Sequence, residues 1–551
     1  MNRLAACALA LLLAFPAQAQ LLPGQEQAPA APVAEAAPPA EAAPPAEAAP
    51  PAEAAPPAPA GAATRGRPPA PAAEGRRLPP NAVSEHRLDL PGRTLAFTAT
   101  AGAVPLRDRE GRLEAEIGFV AYTLKDRDPA GRPVTFALNG GPGAASAYLH
   151  LGVLGPWRLP LDGPTLPPST PPVAAANAET WLDFTDLVFV DPVGTGFSRL
   201  AQPGDELRRR YLSVEGDVAA LSDAINRWLV ENGRLTSPKF FVGESYGGFR
   251  GPLLAEKMQT DHGIGFSGLV LLSPVLDFGW RTGRGHAPLP RVSLLPSLAA
   301  AALDKDGAVT REALAEAERY AAGEYVTDLL RGLQDREAVA RINRRVAELT
   351  GLDPEVVRRQ SGRLDMRTAQ RELFRAEGRI ASAYDTGVTI VDPDPTAAFP
   401  RFPDPVLDGM TAPLTGAVVD LLARKLNWRP EGRYVLLNGG VSGAWNWGRG
   451  RGAPEVVTAL ARALALDGNM RVLVTHGFTD LVTPYFESEL ILRQLPDFGG
   501  RVSLEVYPGG HMYYSRDASR KAFRSDGERL YAQALAARAG TPPAAAAPPG
   551  R

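Results

Sequence analysis

The residues with the clearest chemical potential lie in the stretch Gly243-Glu244-Ser245-Tyr246-Gly247-Gly248. The stretch fits G-x-S-x-G, a sharp strand-to-helix turn that exposes a serine hydroxyl. An apolar, strand-like run precedes it at residues 239–242, and a helical pattern follows at residues 249–258. Glycines at both flanks allow the close backbone approach that such a turn requires. This setting predicts a nucleophilic Ser245, against the alternative of a plain glycine-rich turn.

A serine nucleophile needs a base and an orienting acid, which in this kind of site follow it in the order Asp/Glu, then His. Two of the six histidines precede Ser245 and are excluded by that order; the others are His262, His286, His476 and His511. His262 ends the following helix, His286 lies in an Arg/Gly-rich loop, and His476 lies in an apolar run typical of a buried sheet histidine. His511 lies in a glycine loop after the last predicted strand, and we interpret it as the base.

The acid is expected at the end of the strand before the histidine loop. Residues 471–477 form that predicted strand, and Asp480 follows it directly. A solvated loop aspartate is the alternative, but the position one strand before His511 favours an orienting acid.

An oxyanion hole needs two backbone N–H groups aimed at the developing negative charge. The first comes from the residue after the nucleophile, Tyr246. The second usually comes from a glycine loop after an early strand, and residues 139–143, Asn-Gly-Gly-Pro-Gly, follow the predicted strand 133–138. A phosphate loop is the alternative; because no Gly-Lys-Ser/Thr follows, we discount it.

Four separated motifs together resemble the serine carboxypeptidase family (peptidase family S10), in its bacterial branch. They are Asn139-Gly140-Gly141-Pro142-Gly143, residues 191–198 (Asp-Pro-Val-Gly-Thr-Gly-Phe-Ser), residues 243–248, and Asp480 with Gly509-Gly510-His511-Met512. The resemblance covers roughly residues 85–535. It implies an α/β-hydrolase core with a helical insertion over the active site.

The resemblance also implies a role for each matching residue. Those roles are nucleophile for Ser245, base for His511, orienter for Asp480, oxyanion N–H donors for Gly141 and Tyr246, and binding of the substrate's free C-terminal carboxylate for Asn139 and Glu244. A protonated Glu244 can donate a hydrogen bond to that carboxylate, and paired carboxyl groups share a proton by raising one pKa. Activity on free C-termini at acidic pH is therefore expected.

The sequence departs from the family pattern near these motifs. Ala137 stands where the family commonly has tryptophan, Ala144-Ala145 where it has cysteine and serine, and Val153 where a second glutamate often lies. Half of the usual carboxylate-binding set is therefore missing. An esterase, acyltransferase or other peptidase of this fold remains the alternative, and a non-catalytic binding protein is less favoured.

The sequence outside these motifs predicts the domain boundaries and the cellular location of the protein. Residues 1–19 have the pattern of a signal peptide, residues 20–80 form a predicted disordered Pro/Ala/Glu-rich tether, and residues 541–551 form a similar tail. Cys7 is the only cysteine, so the mature chain has no disulfide, and Asn-x-Ser/Thr sequons are absent. These features favour a bacterial periplasmic or secreted protein.

Composition and charge indicate which classes of binding partner to expect. The formal net charge is −2, with acids and bases interspersed, and no clustered Cys/His or His-Glu-x-x-His pattern occurs. Peptide substrates are expected, with no cofactor, metal, nucleic acid or membrane span; the oligomeric state stays open.

The periodic pattern of residues 81–540 predicts an α/β fold. Residues 84–124 alternate as antiparallel hairpins, and later strands alternate with helices, which indicates a mostly parallel sheet covered on both faces. Helical periodicity dominates a cap insertion at about residues 283–450, with a stripe closed by Gly351 as C-cap. Trp445 and Trp447 follow; they line a substrate pocket or pack the cap on the core.

Overall fold

The computed structural model describes residues 77–161, 168–169, 173–282, 285–305, 307–397, 404–448, 450 and 452–539. All of them fall within one compact unit, residues 71–551. The predicted signal peptide, the tether through residue 76, and the C-terminal tail lie outside the described residues.

A ten-stranded sheet organises the described part of the chain. Its strands are β1 (Ala82–Leu90), β2 (Arg93–Arg107), β3 (Leu113–Leu124), β4 (Val134–Leu138), β7 (Asp186–Val190), β8 (Arg199–Leu200), β9 (Lys239–Glu244), β10 (Gly268–Leu272), β13 (Arg471–Gly477) and β14 (Val502–Tyr507). The order is β1-β2-β3-β7-β4-β9-β10-β13-β14, with β8 paired to β3. Two small hairpins pair β5 (Trp157–Arg158) with β6 (Ala175–Ala176) and β11 (Arg379–Ala381) with β12 (Thr389–Val391).

Strand direction divides the sheet into two regions. The pairs β1–β2, β2–β3 and β3–β7 are antiparallel, as the alternating N-terminal pattern predicts. From β7 through β14 every neighbouring pair is parallel. The carboxyl ends of these six strands therefore meet at one edge, where ligand sites of such sheets form.

Helices cover both faces of the sheet. They are α1 (Ala147–Leu149), α2 (Asp205–Tyr211), α3 (Val214–Glu231), α4 (Tyr246–His262), α5 (Leu289–Asp304), α6 (Arg311–Tyr320), α7 (Val326–Arg331), α8 (Arg336–Thr350), α9 (Pro354–Arg359), α10 (Met366–Glu372), α11 (Pro405–Asp420), α12 (Gly439–Ala444), α13 (Val457–Leu466), α14 (Tyr485–Leu492) and α15 (Asp517–Arg538). Wider π-type turns continue α1, α6 and α11, at His150–Leu154, Ala321–Tyr325 and Leu421–Lys425.

Alternating side chains of the central strands build two separate cores. On β9, Phe240 and Val242 join α15 and the α11 region on one face, whereas Phe241 joins α3, α4 and α13 on the other. Burial on both faces explains why these strands are continuously apolar instead of alternating.

The region between β10 and β13 is mainly helical, where the sequence pattern predicts the cap. Helices α5, α6 and α8 form their own core, which continues onto Phe478, Tyr485 and Phe486 beyond β13. The predicted C-cap of α8 is present, since Gly351 adopts φ 64° and its N–H bonds to Ala347.

The stretch Pro405–Lys425 is long and apolar enough to cross a membrane by length and composition. Its apolar side chains include Leu414, Val418 and Leu422, which are buried in the same core as the sheet residues Phe240 and Val242. In all, 33% of its most apolar window is buried inside the domain.

The last residues of the predicted tether pack on the domain. Leu78 is 8 % exposed within the core, and its N–H donates to Glu116 Oε2 at 3.0 Å. The indole N–H of Trp428 also donates a hydrogen bond to the carbonyl of Pro79 at 3.4 Å. The packed domain therefore begins before residue 80.

This boundary gives a paired deletion test. Removing residues 20–76 is expected to leave the melting temperature unchanged, because that composition offers no apolar face to a core. Extending the deletion through Leu78 should lower the free energy of unfolding by about 1–2 kcal/mol, since a buried leucine is lost. Thermal and urea unfolding check both variants; a clear loss of stability in the shorter deletion would contradict the expectation.

Candidate active site

Ser245 lies at the turn between β9 and α4 with a positive φ of 61° and ψ of −122°. Non-glycine residues in such sparsely populated conformations cost of order 1–3 kcal/mol and concentrate at functional sites. Its N–H donates to the carbonyl of Leu272 on β10 at 2.8 Å, which ties the turn to the neighbouring strand. The turn has the geometry that the G-x-S-x-G pattern predicts.

Close backbone contacts explain the glycines around this turn. A Cβ on Gly243 would lie 2.2 Å from the carbonyl oxygen of Gly247, and one on Gly247 would lie 2.3 Å from that of Leu138. A Cβ on Gly140 would lie 2.4 Å from the nitrogen of Tyr246. The loop after β4 therefore presses against the start of α4, where backbone N–H groups are unpaired.

This contact brings the two predicted oxyanion donors into one region. Gly141 and Tyr246 both line the cavity that contains Ser245. Among the described residues, neither N–H donates a hydrogen bond. Gly141 adopts φ 102°, in the left-handed region that favours glycine. The two N–H groups are thus available to a negatively charged oxygen.

Asp480 and His511 form a buried pair at the ends of β13 and β14. Their Oδ2 and Nδ1 atoms are 2.7 Å apart, and the side chains are at most 3 % exposed. The N–H groups of Val482 and Thr483 bond to Asp480 Oδ1 at 2.8 and 2.9 Å, and the Thr483 hydroxyl donates to Oδ2 at 2.5 Å. Because its oxygens are held by these donors, the carboxylate has a fixed orientation.

The pair also sets the protonation of the histidine. Burial lowers the pKa of His511, but the charge and hydrogen bond of Asp480 outweigh burial, so the net pKa lies above its usual value. With Nδ1 on Asp480, Nε2 is the ring nitrogen left for proton transfer. Ser245 and His511, both described, line one cavity without a hydrogen bond between their side chains; such bonds often tighten only with substrate.

A loop of the helical insertion, residues 383–386, binds the loops that carry Asp480 and His511. The carbonyl of Ala383 accepts from Leu481 N–H at 3.0 Å, and that of Tyr384 accepts from His511 N–H at 2.5 Å. The Tyr384 ring also meets the His511 ring edge-on at 5.2 Å. The insertion therefore forms part of the site.

The resulting cavity has a volume of about 460 Å³. Ser245 and His511 lie in it beside polar side chains and several apolar and aromatic ones. The polar side chains are those of Asn139, Glu244, Arg281, Ser442 and Thr483. The apolar and aromatic side chains include Tyr148, Val275, Phe278, Tyr384, Leu407, Trp447 and Met512. Trp447 is 38 % exposed and contacts Phe278, whereas Trp445 is buried in the core, so only the former lines the cavity.

Glu244 is the unusual group in this cavity, because it is a carboxyl that is only 4 % exposed. Burial raises its pKa to about 7, against the influence of His511 and the hydrogen bonds from Tyr514 and Asn139. The Tyr514 hydroxyl donates to Oε2 at 2.6 Å. Near neutral pH the group therefore exchanges between a hydrogen-bond donor and an anion.

Asn139 is fixed from two directions. Its Oδ1 accepts the N–H of Leu149 at 2.9 Å, and its carbonyl accepts from Arg250 Nη1 at 2.5 Å. Arg250 is itself fully buried and paired with Asp217 at 2.6 Å. Since Oδ1 is occupied, the amide nitrogen is the group that Asn139 presents to Glu244.

The structure also places the remaining residues that the sequence analysis named around the site. His476 is buried, with its ring nitrogens near Thr483 O at 3.1 Å and Ser488 Oγ at 2.8 Å, as expected for a sheet histidine. Within the 191–198 motif, Asp191 Oδ1 accepts from Ser146 N–H at 2.8 Å and thereby holds the loop after β4. Ala137 and Val153 are buried in the core and do not line the cavity.

Sequence reasoning missed four polar residues of the cavity region: Tyr148, Arg281, Tyr384 and Tyr514. Arg281 pairs with Glu487 at 2.8 Å and also donates to the carbonyl of Val482, beside the Asp480 loop. Two of the four lie a few residues from recognised motifs, but no periodicity indicates which way they face. The other two come from the segment after β10, whose path a local pattern does not give.

A mostly parallel sheet, a nucleophile turn after a central strand, and Asp and His following in that chain order define the α/β-hydrolase fold. Residues 92–278 match the family model for serine carboxypeptidases, which confirms the resemblance that the motifs predict.

Curated relatives match part of the chain. Serine carboxypeptidase-like 45 of Arabidopsis thaliana is 28% identical over 198 residues, 34% of this chain and 39% of that protein. Serine carboxypeptidase-like 33 of the same plant is 32% identical over 172 residues, 29% of this chain and 33% of that protein. The chain thus spans between a third and two fifths of the length of these relatives.

Solved structures match over more of the chain but less closely. The proline iminopeptidase of Mycobacterium smegmatis gives a TM-score of 0.35 at 16% identity, covering 80% of this chain and 99% of that chain. Together, the family match and the fold support a serine hydrolase.

The first prediction for this site concerns the nucleophile. Ser245→Ala should lower kcat by at least about 10⁴-fold, and combining it with Asp480→Asn should add little, because such residues act as a unit. Steady-state hydrolysis of an activated ester and fluorophosphonate labelling measure this. Ser297→Ala is a matched control, since that buried hydroxyl has no partner among the described residues and lies in the insertion. Retention of a tenth of the wild-type kcat in Ser245→Ala contradicts the assignment.

The second prediction concerns stability and pH. Folding raises the pKa of Glu244 from 4.5 to about 7. Between these values the folded state keeps a proton that the unfolded chain releases, so the free energy of unfolding falls as pH rises, by up to about 3 kcal/mol. Glu244→Gln should flatten this dependence. Urea unfolding of both proteins at pH 5 and pH 7 gives the difference, and parallel pH profiles would refute it.

Proposed function

We propose that this protein is a serine carboxypeptidase that releases C-terminal amino acids from peptides. The observation that carries the proposal is the position of Glu244, a buried carboxyl next to Ser245 in the chain, with a pKa of about 7. An anionic group there would repel a substrate carboxylate, whereas a protonated one donates a hydrogen bond to it. Asn139, on the same cavity wall, supplies an amide donor.

The reaction follows from the groups around the cavity. Ser245 Oγ attacks the carbonyl carbon of the last peptide bond while His511 Nε2 takes the hydroxyl proton. The N–H groups of Gly141 and Tyr246 stabilise the oxyanion. The C–N bond then breaks, and His511 gives its proton to the leaving amino acid. Water next attacks the acyl ester, with His511 again as base, and releases the shortened peptide with a new C-terminal carboxylate.

Asp480 supports each proton transfer electrostatically. Its carboxylate faces the imidazolium that forms when His511 takes a proton, and it holds the ring in one tautomer. The upward shift of the His511 pKa reflects this stabilisation of the charged form. Because its pKa is raised, His511 becomes a free base only at a pH above its usual pKa. Substrate binding through protonated Glu244 is instead favoured below pH 7.

The apolar walls suit the side chains on either side of the cleaved bond. Phe278 and Trp447 contact each other at a ring distance of 4.6 Å, and Trp447 meets Tyr246 at 5.6 Å. Apolar pockets of this kind bind apolar side chains by removing their surface from water. Peptides with apolar side chains beside the cleaved bond are therefore the proposed substrates.

A second candidate function is an esterase or acyltransferase of the same fold. It is favoured by Val153, which is buried in the core at the position of the second glutamate of the family. With a single carboxyl at the cavity, recognition of a free carboxylate rests on fewer groups. The two candidates share the acyl-enzyme step and differ in the substrate end that they recognise.

We further propose export of the protein to the periplasm or the medium. The support is the signal-peptide pattern of residues 1–19 and the lack of cysteine after Cys7. Fractionation of expressing cells, with the mature N-terminus read by mass spectrometry, tests this.

The deciding experiment compares peptide ends. One N-blocked tripeptide series with free and amidated C-termini is digested and read by mass spectrometry. The amide should lower kcat/KM by about 100-fold or more, because a site built to bind a carboxylate leaves polar groups unpaired without one. Glu244→Gln should also flatten the alkaline limb of the rate profile. Equal rates on both ends favour the esterase or acyltransferase instead.

A further inference from the structure

Tyr148 is a polar residue of the cavity whose hydroxyl the mechanism above does not use. The side chain is 4 % exposed and lines the same cavity as Ser245 and Glu244. Among the described residues, its hydroxyl has no hydrogen-bond partner. A buried hydroxyl without a partner is unfavourable in the empty protein, so its presence at a binding cavity calls for a partner that arrives with a ligand.

The position of Tyr148 follows from the helix after the Asn139 loop. Helix α1 carries Tyr148, and its π-type continuation carries Gly152, where a Cβ would lie 2.8 Å from the Tyr514 ring. Tyr514 in turn donates to Glu244 at 2.6 Å. Tyr148 and Glu244 both line the cavity that contains Ser245.

The neighbouring hydroxyl of Tyr514 is already committed, so the two tyrosines differ in what they can do. Tyr514 orients Glu244, whereas the Tyr148 hydroxyl is free to donate. Tyr246, a third tyrosine of the wall, directs its ring to Phe249 and Trp445, at 5.2 and 5.5 Å. Its hydroxyl, like that of Tyr148, is buried without a partner among the described residues, but the ring packs against Arg250 at 4.8 Å. Tyr148 instead lies one helical turn from Gly152, which contacts Tyr514 beside Glu244.

We propose that the Tyr148 hydroxyl donates a hydrogen bond to the free C-terminal carboxylate of the substrate. This inference rests on the proposed carboxypeptidase function. The carboxylate then accepts from three donors: the Tyr148 hydroxyl, the Asn139 amide and protonated Glu244. A phenol, unlike a carboxyl group, stays a donor through neutral pH.

This assignment has a consequence for pH dependence. Burial raises the pKa of Tyr148 above its ordinary value, so this donor persists when Glu244 loses its proton near pH 7. The titratable groups that act on Tyr148 and Glu244 are Tyr384, Asp408, Tyr514 and the Asp480–His511 pair. Substrate affinity should therefore decline gently above pH 7 in the wild type, and steeply when the Tyr148 hydroxyl is absent.

The test uses Tyr148→Phe in the full-length protein, with an N-blocked dipeptide as substrate. KM for the free-carboxylate substrate should rise about tenfold with kcat nearly unchanged, as for loss of one hydrogen bond to a charged group. The steepness of the KM rise between pH 6 and 8 should increase. Rates on the matched amide and on a neutral ester should not change, because neither presents a carboxylate.

Tyr320→Phe is the matched control. Its hydroxyl is also buried without a partner among the described residues, but it lies in the insertion core away from the cavity. That variant should keep the wild-type KM on every substrate. Unchanged melting temperatures confirm that both variants fold.

The outcomes separate this inference from the proposed function. If the wild type discriminates against the amide but Tyr148→Phe keeps the wild-type KM and pH profile, the role of Tyr148 is wrong and the carboxypeptidase stands. If the wild type treats both ends equally, the proposed function itself fails. A rise in KM that is equal for acid, amide and ester would also overturn the inference, since it indicates a change of cavity shape.

Discussion

The site depends on one steric constraint, the contact between the loop after β4 and the first turn of α4. Gly140 and Gly247 have no Cβ, so the backbone of one segment lies against that of the other. This contact brings unpaired N–H groups, the Asn139 side chain and Ser245, with its positive φ, to the wall of one cavity. A Cβ at Gly140 or Gly247 would come within 2.4 Å of the facing backbone and force the two segments apart.

Electrostatics in this volume follow from burial. Glu244 and Asp480 are both buried carboxyls, but their surroundings differ. Asp480 receives two backbone N–H groups and a hydroxyl in addition to His511, and these partners fix its orientation. Glu244 receives fewer donors, and burial raises its pKa to about 7. The two carboxyls therefore differ in their hydrogen-bond partners, and Glu244 is the one whose pKa burial moves toward neutral pH.

The sequence predicted those parts of the structure that local patterns determine. The Ser245 turn, the mostly parallel sheet and the Gly351 cap each depend on neighbouring residues, and the structure contains all of them. The end of the tether was placed too late because Leu78 is an isolated apolar residue whose burial depends on a distant partner, Glu116. Tyr148 and Arg281 were missed for the same reason, since their orientation is set by packing between segments far apart in the chain.

The loop Ala383–Thr386 has a consequence for how the protein acquires its activity. Its carbonyl groups hold the N–H groups of Leu481 and His511, about a hundred residues further along the chain. Contacts over such separations form late in folding, because chain entropy opposes loop closure until other contacts reward it. A sheet with its helices in place would therefore still lack a fixed histidine until the insertion has docked. The geometry of the Asp480–His511 pair is then a property of the whole domain and not of the sheet alone.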